Sequence, residues 1–161
     1  MHVAILAQYR ALRTRDAAID AQLKTDGKEI SYANRANRLA VESKPLHEKF
    51  LATLAENLTP EQVEQVKDGM TYKKVKVTYD AYCAIVPALT DADKAQILEQ
   101  LKLAREEAMD GGNANEKSDI FQKYKQHIND YLNAHGHDTV KAFKDWEAQQ
   151  EAAKKTVEAV K

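Results

Sequence analysis

The chain has 161 residues, of which 43% are hydrophobic and 30% are charged, and its formal net charge is -1. A chain of this size buries roughly 70% of its unfolded surface, so this composition excludes a disordered protein and one that depends on disulfides or metals. The near-neutral charge argues against nucleic acid as a partner, because phosphate binding needs a positive field. No apolar run reaches the roughly 18 residues of a transmembrane helix, and we expect one soluble domain over residues 1–161.

The first two segments predict a helical hairpin. Residues 3–24 carry apolar side chains at helical spacing, and Thr25-Asp26-Gly27 ends the pattern. Residues 31–57 repeat it, but Pro45 lacks a backbone donor and clashes with the preceding turn. We therefore expect a kink, or a break near residues 42–44 with Ser43 capping the second piece. The two segments are predicted to run antiparallel.

A third helix is predicted to begin at Thr59. Thr59 can accept from the backbone as the N-cap, Pro60 suits the first helical position, and Gln62 completes a capping box. The helix is expected to end near Asp68-Gly69. A similar start recurs at Thr90, where Asp93 stands in place of the glutamine.

The segment from Met70 to Pro87 is the irregular part of the pattern. Residues 73–78 alternate between lysine or threonine and valine, which is typical of an extended strand. Since a lone strand has no partner, we interpret residues 70–78 as an ordered loop with extended backbone. One or two helical turns then precede Pro87.

Three further helices complete the prediction. They span residues 91–110, residues 115–134, and a last segment capped by Asp138 with Val140, Phe143 and Trp146 on its apolar stripe. The predicted fold is all-α, an irregular antiparallel bundle of about six helices with one ordered non-helical segment. The predicted core comprises Leu54, Val63, Ile97, Leu101, Phe121, Tyr124, Ile128 and Leu132.

The sequence contains no complete catalytic or metal-binding motif. His47-Glu48 would open a zinc-protease helix, but the second histidine is absent. His135 and His137 flank Gly136 without an evident third ligand, so a solvated turn is the expected arrangement. Cys83 is interpreted as a buried thiol. We expect no catalytic residues, metal or cofactor.

Aromatic placement supplies the remaining functional signal. Tyr72, Tyr79 and Tyr82 crowd the irregular segment beside several lysines. A tyrosine ring can stack on the C–H face of a sugar while its hydroxyl forms hydrogen bonds. Alternatively, these rings pin the loop onto the helices.

The stretch from Leu58 to Trp146 resembles a bacterial family of unknown function that is labelled sugar-binding. The pieces that carry the resemblance are MTY, VTYDAY, the P-x-LT turn, AREEAMD and KYKQHINDYL, in this order. The family comprises exported proteins of polysaccharide-degrading Gram-negative bacteria. The resemblance implies a non-catalytic accessory protein that binds carbohydrate, and it marks as ligand-binding Tyr72, Tyr79, Tyr82, Arg105, Lys123, Tyr124, Asn129 and Tyr131.

The same resemblance implies a periplasmic or secreted protein. Residues 1–10 carry no basic leader or cleavage site, so we expect an export signal to have been removed from the chain. A weaker likeness gives an alternative: the LTPEQ start is similar to the LTxxQ signature of small helical periplasmic chaperones and envelope-stress proteins. That reading predicts an apolar surface that binds unfolded clients. The oligomeric state is left open.

Overall fold

The secondary structure confirms the all-α prediction. A computed structural model describes residues 2–159, without the side chains of residues 32, 37 and 156–159. Over that range the regular structure consists of helices, with no strand. They are α1 (His2–Thr25), α2 (Tyr32–Ala55), α3 (Pro60–Met70), α4 (Lys74–Ile85), α5 (Asp91–Met109), α6 (Ala114–Ala134) and α7 (Thr139–Ala159).

Helices α1 and α2 form the predicted antiparallel hairpin. Gly27 adopts a φ of 68°, which lets the backbone close the end of α1, and the Ser31 side chain caps α2. Of the two alternatives predicted around Pro45, the break near residues 42–44 is wrong, because α2 continues through them and through the proline. Ser43 does not act as a cap; its hydroxyl accepts a hydrogen bond from Arg15 at 2.8 Å, so tertiary contacts hold α2 together across the proline.

The start of α3 is confirmed as a capping box. The Gln62 backbone N–H donates to the Thr59 hydroxyl at 3.3 Å, and the Thr59 N–H donates to the Gln62 side chain at 3.0 Å. The same arrangement starts α5, where the Thr90 N–H donates to the Asp93 carboxylate at 2.9 Å. Aspartate therefore performs the role of glutamine in the second box.

Removing the first of these caps should be measurable. We expect Thr59→Ala to lower the free energy of unfolding by about 0.5–2 kcal/mol, because one backbone donor of α3 loses its acceptor. Chemical denaturation followed by circular dichroism would measure the change. Thr53→Ala is a suitable control, since that hydroxyl only bonds back to the Lys49 carbonyl of its own helix. Equal losses in both variants would contradict a capping role.

The predicted end of α3 near Asp68-Gly69 is nearly correct, since the helix ends at Met70. Gly69 lies inside the helix, and the left-handed position falls on Tyr72, with a φ of 58°. The Lys73 N–H donates to the Asp68 carbonyl at 2.7 Å and the Tyr72 N–H to the Gly69 carbonyl at 3.3 Å. These two bonds form a Schellman motif in which a tyrosine occupies the position that glycine usually fills.

The extended loop predicted for residues 70–78 is also wrong. Only Thr71–Lys73 separate α3 from α4, and α4 begins at Lys74. Lys76 and Asp80, one turn apart, form an ion pair at 2.6 Å that supports the helix. The lysine–valine alternation therefore lies on a helix, where Val75 is buried and Val77 is exposed.

The backbone contacts group the chain into two compact units. The first unit comprises residues 1–73 and 105–121, and the second comprises residues 74–104 and 122–161. The first unit contains an apolar cluster of Phe50, Leu54, Val66, Met70 and Met109. Within the described residues, none of the helices combines the length and apolar character that crossing a membrane requires.

Most of the predicted core is confirmed. Of the eight predicted core residues, six are at most 1% exposed, namely Leu54, Ile97, Leu101, Phe121, Ile128 and Leu132. Val63 and Tyr124 are half-buried, and Val63 packs against the apolar cluster of the first unit. The helical-face interpretation is therefore correct for the long helices.

Candidate functional site

The second unit carries an open groove of about 710 Å³ between α4, α6 and α7. Helix α4 contributes one face at four-residue spacing, and α6 and α7 contribute residues one turn apart. The residues that line it are Val77, Thr78, Ala81, Tyr82, Ile85, Val86, Gln122, Lys125, Asn129, Thr139, Val140, Phe143, Lys144 and Glu147. Its size is within the range of about 300–1,000 Å³ that is typical of small-ligand sites.

Tyr82 is held in place by α6. Its hydroxyl donates to the Asn129 side-chain oxygen at 2.8 Å and lies 3.3 Å from the Lys125 carbonyl oxygen. Burial raises the pKa of Tyr82 to about 12, so the hydroxyl stays protonated at neutral pH. Asn129 keeps its amide N–H donors for other partners, because Tyr82 uses the oxygen.

The rim of the groove is apolar and exposed. Val77 is 64% exposed, Val140 is 62% exposed and Phe143 is 47% exposed. The Phe143 ring lies 6.3 Å from the half-buried Trp146 ring, at an interplanar angle of 34°. Val140 and Phe143, which the sequence places on the apolar stripe of the last helix, thus border the groove.

Polar side chains lie beside this apolar rim. Among the described residues, the side chains of Gln122, Lys144 and Glu147 have no hydrogen-bonding or ion-pair partner. Lys125 is half-buried, and burial together with the neighbouring Lys74 lowers its pKa. The groove therefore combines one aromatic face with an amide, ammonium groups and a carboxylate that a ligand can contact.

The eight predicted ligand-binding residues do not form one site. Only Tyr82 and Asn129 line the groove. Elsewhere in the second unit, Tyr131 stacks on His135 with 4.0 Å between ring centroids, and the Lys123 ammonium lies 4.9 Å from the Tyr124 ring.

Tyr79 and Tyr72 occupy other positions. Burial and the neighbouring Cys83 thiol raise the pKa of the half-buried Tyr79. Cys83 itself is exposed, so the prediction of a buried thiol is wrong. Tyr72 belongs to the first unit, where it is 58% exposed at the end of α3.

Arg105, the remaining predicted residue, is itself buried and belongs to a network of charged side chains in the first unit. Its guanidinium is 6% exposed and contacts Glu64, Asp68 at 2.6 Å and Glu106 at 3.4 Å. Lys67 joins this network through Glu106, at 3.0 Å. Arg105 thus already has carboxylate partners on α3 for its two terminal nitrogens, whereas its buried Nε has no hydrogen-bond partner among the described residues.

His47 continues the network from α2. Its Nδ1 lies 3.0 Å from Asp110 and its Nε2 lies 3.5 Å from Glu106. Hydrogen bonds with Asp110 and then Glu106 raise the pKa of His47 to about 9. Burial would raise the pKa of Glu106, but hydrogen bonds with His47 and Lys67 lower it to about 2. Both groups keep their charge at neutral pH, which argues against a proton-transfer role.

Arg35, on α2, forms further ion pairs with carboxylates of the first unit. It is 9% exposed and pairs with Glu116, with Asp20 at 3.0 Å and with Asp16 at 3.5 Å. None of these residues lines the groove of the second unit. These ion pairs of Arg35 therefore join α2 to α1 and to α6 within the first unit.

Lys117 is a buried amine with a similar structural role. It is 1% exposed, and its ammonium donates to the Met70 carbonyl at 2.8 Å and to the Tyr9 hydroxyl at 3.3 Å. Met70 is the last residue of α3, so the cation sits at the negative end of that helix. Burial lowers the pKa of Lys117.

The histidine-containing turn after α6 is held by ring contacts and an ion pair. His137 lies 3.1 Å from the Asp93 carboxylate, and the His135 Nδ1 lies 2.7 Å from the Tyr131 carbonyl. Hydrogen bonds from Thr90, with His137 adding to them, lower the pKa of Asp93 to about 2. Across the described part of the chain, no three metal-ligating side chains converge.

The chain belongs to a protein family of unknown function, DUF3826, whose family model matches residues 1–152. The match includes α1 and α2, so the family likeness extends beyond the Leu58–Trp146 stretch that the sequence motifs indicated. No curated protein matches the chain.

Proposed function

We propose that the protein is a non-catalytic accessory protein that binds carbohydrate in the groove of the second unit. The observation that carries the proposal is the exposed Phe143 ring beside the unpaired side chains of Gln122, Lys144 and Glu147. A sugar presents a C–H face that packs on an aromatic ring, and its hydroxyls need amide and charged partners around that ring.

The arrangement of Tyr82 and Asn129 adds a fixed polar point inside the groove. Tyr82 orients the Asn129 amide by bonding to its oxygen, at 2.8 Å. The amide N–H groups can then donate to a sugar hydroxyl with little loss of side-chain freedom. Both residues are also among those that the family resemblance marks as ligand-binding, which supports the same location.

The resemblance to exported proteins of polysaccharide-degrading bacteria supports action outside the cytoplasm. In that setting the protein would hold a polysaccharide fragment without cleaving it. The charged pairs that could exchange protons, such as His47 with Glu106, lie in the other unit and have pKa values far from neutral. Binding without catalysis is consistent with both observations.

Loss of the aromatic face is the direct test. We expect Phe143→Ala to weaken binding of a glycan identified by array screening by up to about tenfold, because an aromatic contact contributes roughly 0.5–1.5 kcal/mol beyond the area it buries. Isothermal titration calorimetry of the intact chain would measure it. Since Phe143 is 47% exposed, the substitution should leave the fold intact.

Tyr72→Ala serves as the control. Tyr72 is more exposed than Phe143 but lies in the first unit and does not line the groove. Its loss should leave glycan affinity unchanged. If Tyr72→Ala abolishes binding while Phe143→Ala does not, the groove is not the binding site. If no glycan binds the intact chain, the carbohydrate proposal fails.

The exposed apolar rim favours one alternative function, a chaperone that binds unfolded clients. Val77, Val140 and Phe143 offer the kind of apolar surface that an unfolded segment would cover. This alternative predicts suppression of aggregation of a model client at near-stoichiometric ratio, independent of added sugar. Val77→Ser together with Val140→Ser should then reduce the suppression to the same extent with and without added sugar.

A further inference from the structure

We propose that the saccharide bound in the groove is anionic, and that its acidic group contacts Lys125 and Lys144. This inference rests on the proposed carbohydrate binding and specifies its ligand class. The groove is lined by two lysines and one acidic residue, Glu147, so its lining carries an excess of positive charge.

Lys144 differs from Lys141, the other lysine near the start of α7, in having no acidic partner within the described part of the chain. Lys141 pairs with Asp145 one turn ahead, at 2.5 Å. Lys144 is one helical turn further along, borders the groove and has no acidic partner among the described residues. Its ammonium is therefore available to an anionic group in the groove.

The charged form of Lys125 is less favourable than that of the exposed Lys144. Lys125 lies on α6, half-buried, and both burial and the neighbouring Lys74 lower its pKa. A charge in this position is costly unless an anion compensates it. A carboxylate or sulfate in the groove would provide that compensation, which would make the acidic group the most strongly held part of the ligand.

The chemistry fits acidic sugars of two kinds. Uronic acids carry a planar carboxylate, and sulfated sugars carry a tetrahedral ester. Lysine acts as a point charge with rotatable donors, so it accepts both geometries, whereas arginine favours a planar bidentate partner. The shared feature is one negative charge beside a ring that can pack on Phe143.

Matched pairs of ligands test the inference. Calorimetry would compare an oligouronide with its methyl ester, and a sulfated glucan oligomer with the unsulfated one, at constant ionic strength. We expect the acidic member of at least one pair to bind about tenfold more tightly. Lys144→Gln should remove most of that difference and leave the affinity for the neutral member unchanged.

Lys141→Gln is the matched control, because it removes the same charge from the same helix outside the groove. It should leave the preference for the acidic ligand intact. Equal affinity for acidic and neutral members would overturn the anionic preference while carbohydrate binding stands. An acidic preference that survives Lys144→Gln, or that Lys141→Gln removes equally, would also overturn it. Absence of binding to every glycan would overturn both proposals.

Discussion

Replacing Arg35 with methionine should lower the free energy of unfolding by about 3–5 kcal/mol, because it leaves the buried Glu116 carboxylate without its counter-charge. The Arg35 guanidinium pairs with Glu116, lies 3.0 Å from Asp20 and 3.5 Å from Asp16, and is 9% exposed. Methionine fills a similar volume, so the loss measures mainly the charge and not a cavity. Urea denaturation at neutral pH would quantify it.

The surroundings of Arg35 give the carboxylates little room to move. The Glu116 carboxylate also accepts the Gly112 backbone N–H at 2.8 Å. The Asp16 carboxylate packs so closely on Gly112 that an added Cβ would meet its oxygen at 2.0 Å. Because Glu116 would lose its hydrogen bond from the Gly112 N–H if it turned toward solvent, its uncompensated charge should destabilise the folded state.

Arg38→Met provides a matched control from the same helix. Arg38 pairs with Asp26 at 2.9 Å, but both side chains are about one-third exposed, with relative areas of 36% and 32%. Exposed pairs contribute roughly 0–1 kcal/mol, so this variant should be nearly neutral. A loss below about 1 kcal/mol for Arg35→Met, or equal losses in both variants, would contradict the proposed role of the buried network.

The helix starts were predictable because capping is local. Thr59, Thr90 and Asp138 each bond to a backbone N–H within three residues. The residue types and spacing that produce these bonds are visible in the sequence. The core positions of the long helices were predictable for the same reason, since helical periodicity is a property of neighbouring residues.

The region around α4 was not predictable in the same way. A left-handed conformation at Tyr72 is unfavourable for a non-glycine residue, so the sequence favoured Gly69 as the helix end. Here α3 runs on to Met70, whose carbonyl accepts from the buried Lys117, 47 residues along the chain. A contact of that range leaves no local pattern. The extended interpretation of residues 73–78 came from the alternation of lysine or threonine with valine, which here lies on α4.

The candidate site was only partly predictable for a related reason. Tyr82 and Asn129 were identified through family motifs, and they do meet. The spacing of Phe143 placed it on the apolar stripe of α7, yet spacing alone cannot tell whether another helix covers that stripe. The buried ionic network was missed entirely, since Arg35 and Glu116 are 81 residues apart.

Stability should fall by about 3 kcal/mol as the pH rises from 6.5 to 9, because across that range the folded chain keeps the His47 proton that the unfolded chain has given up. The hydrogen bonds with Asp110 and Glu106 raise the pKa of folded His47 to about 9, whereas an unfolded chain has the ordinary histidine value of about 6.5. The folded state therefore holds the proton more tightly. The stabilisation is fully present below pH 6.5 and disappears as the pH rises through 9.

His47→Gln isolates this contribution. At about pH 6 the variant should be less stable than the parent by roughly 3 kcal/mol, and by about pH 9.5 the difference should largely close. Lys44→Gln is the control: it removes a cation from the same helix, where its partner Glu48 is 3.9 Å away and both side chains are exposed. That variant should retain the parent's fall in stability between pH 6.5 and 9. Denaturation curves of all three proteins at half-unit pH intervals would measure these free energies of unfolding. A difference between the parent and His47→Gln that stays constant with pH would show that Asp110 and Glu106 do not hold the histidine as a cation.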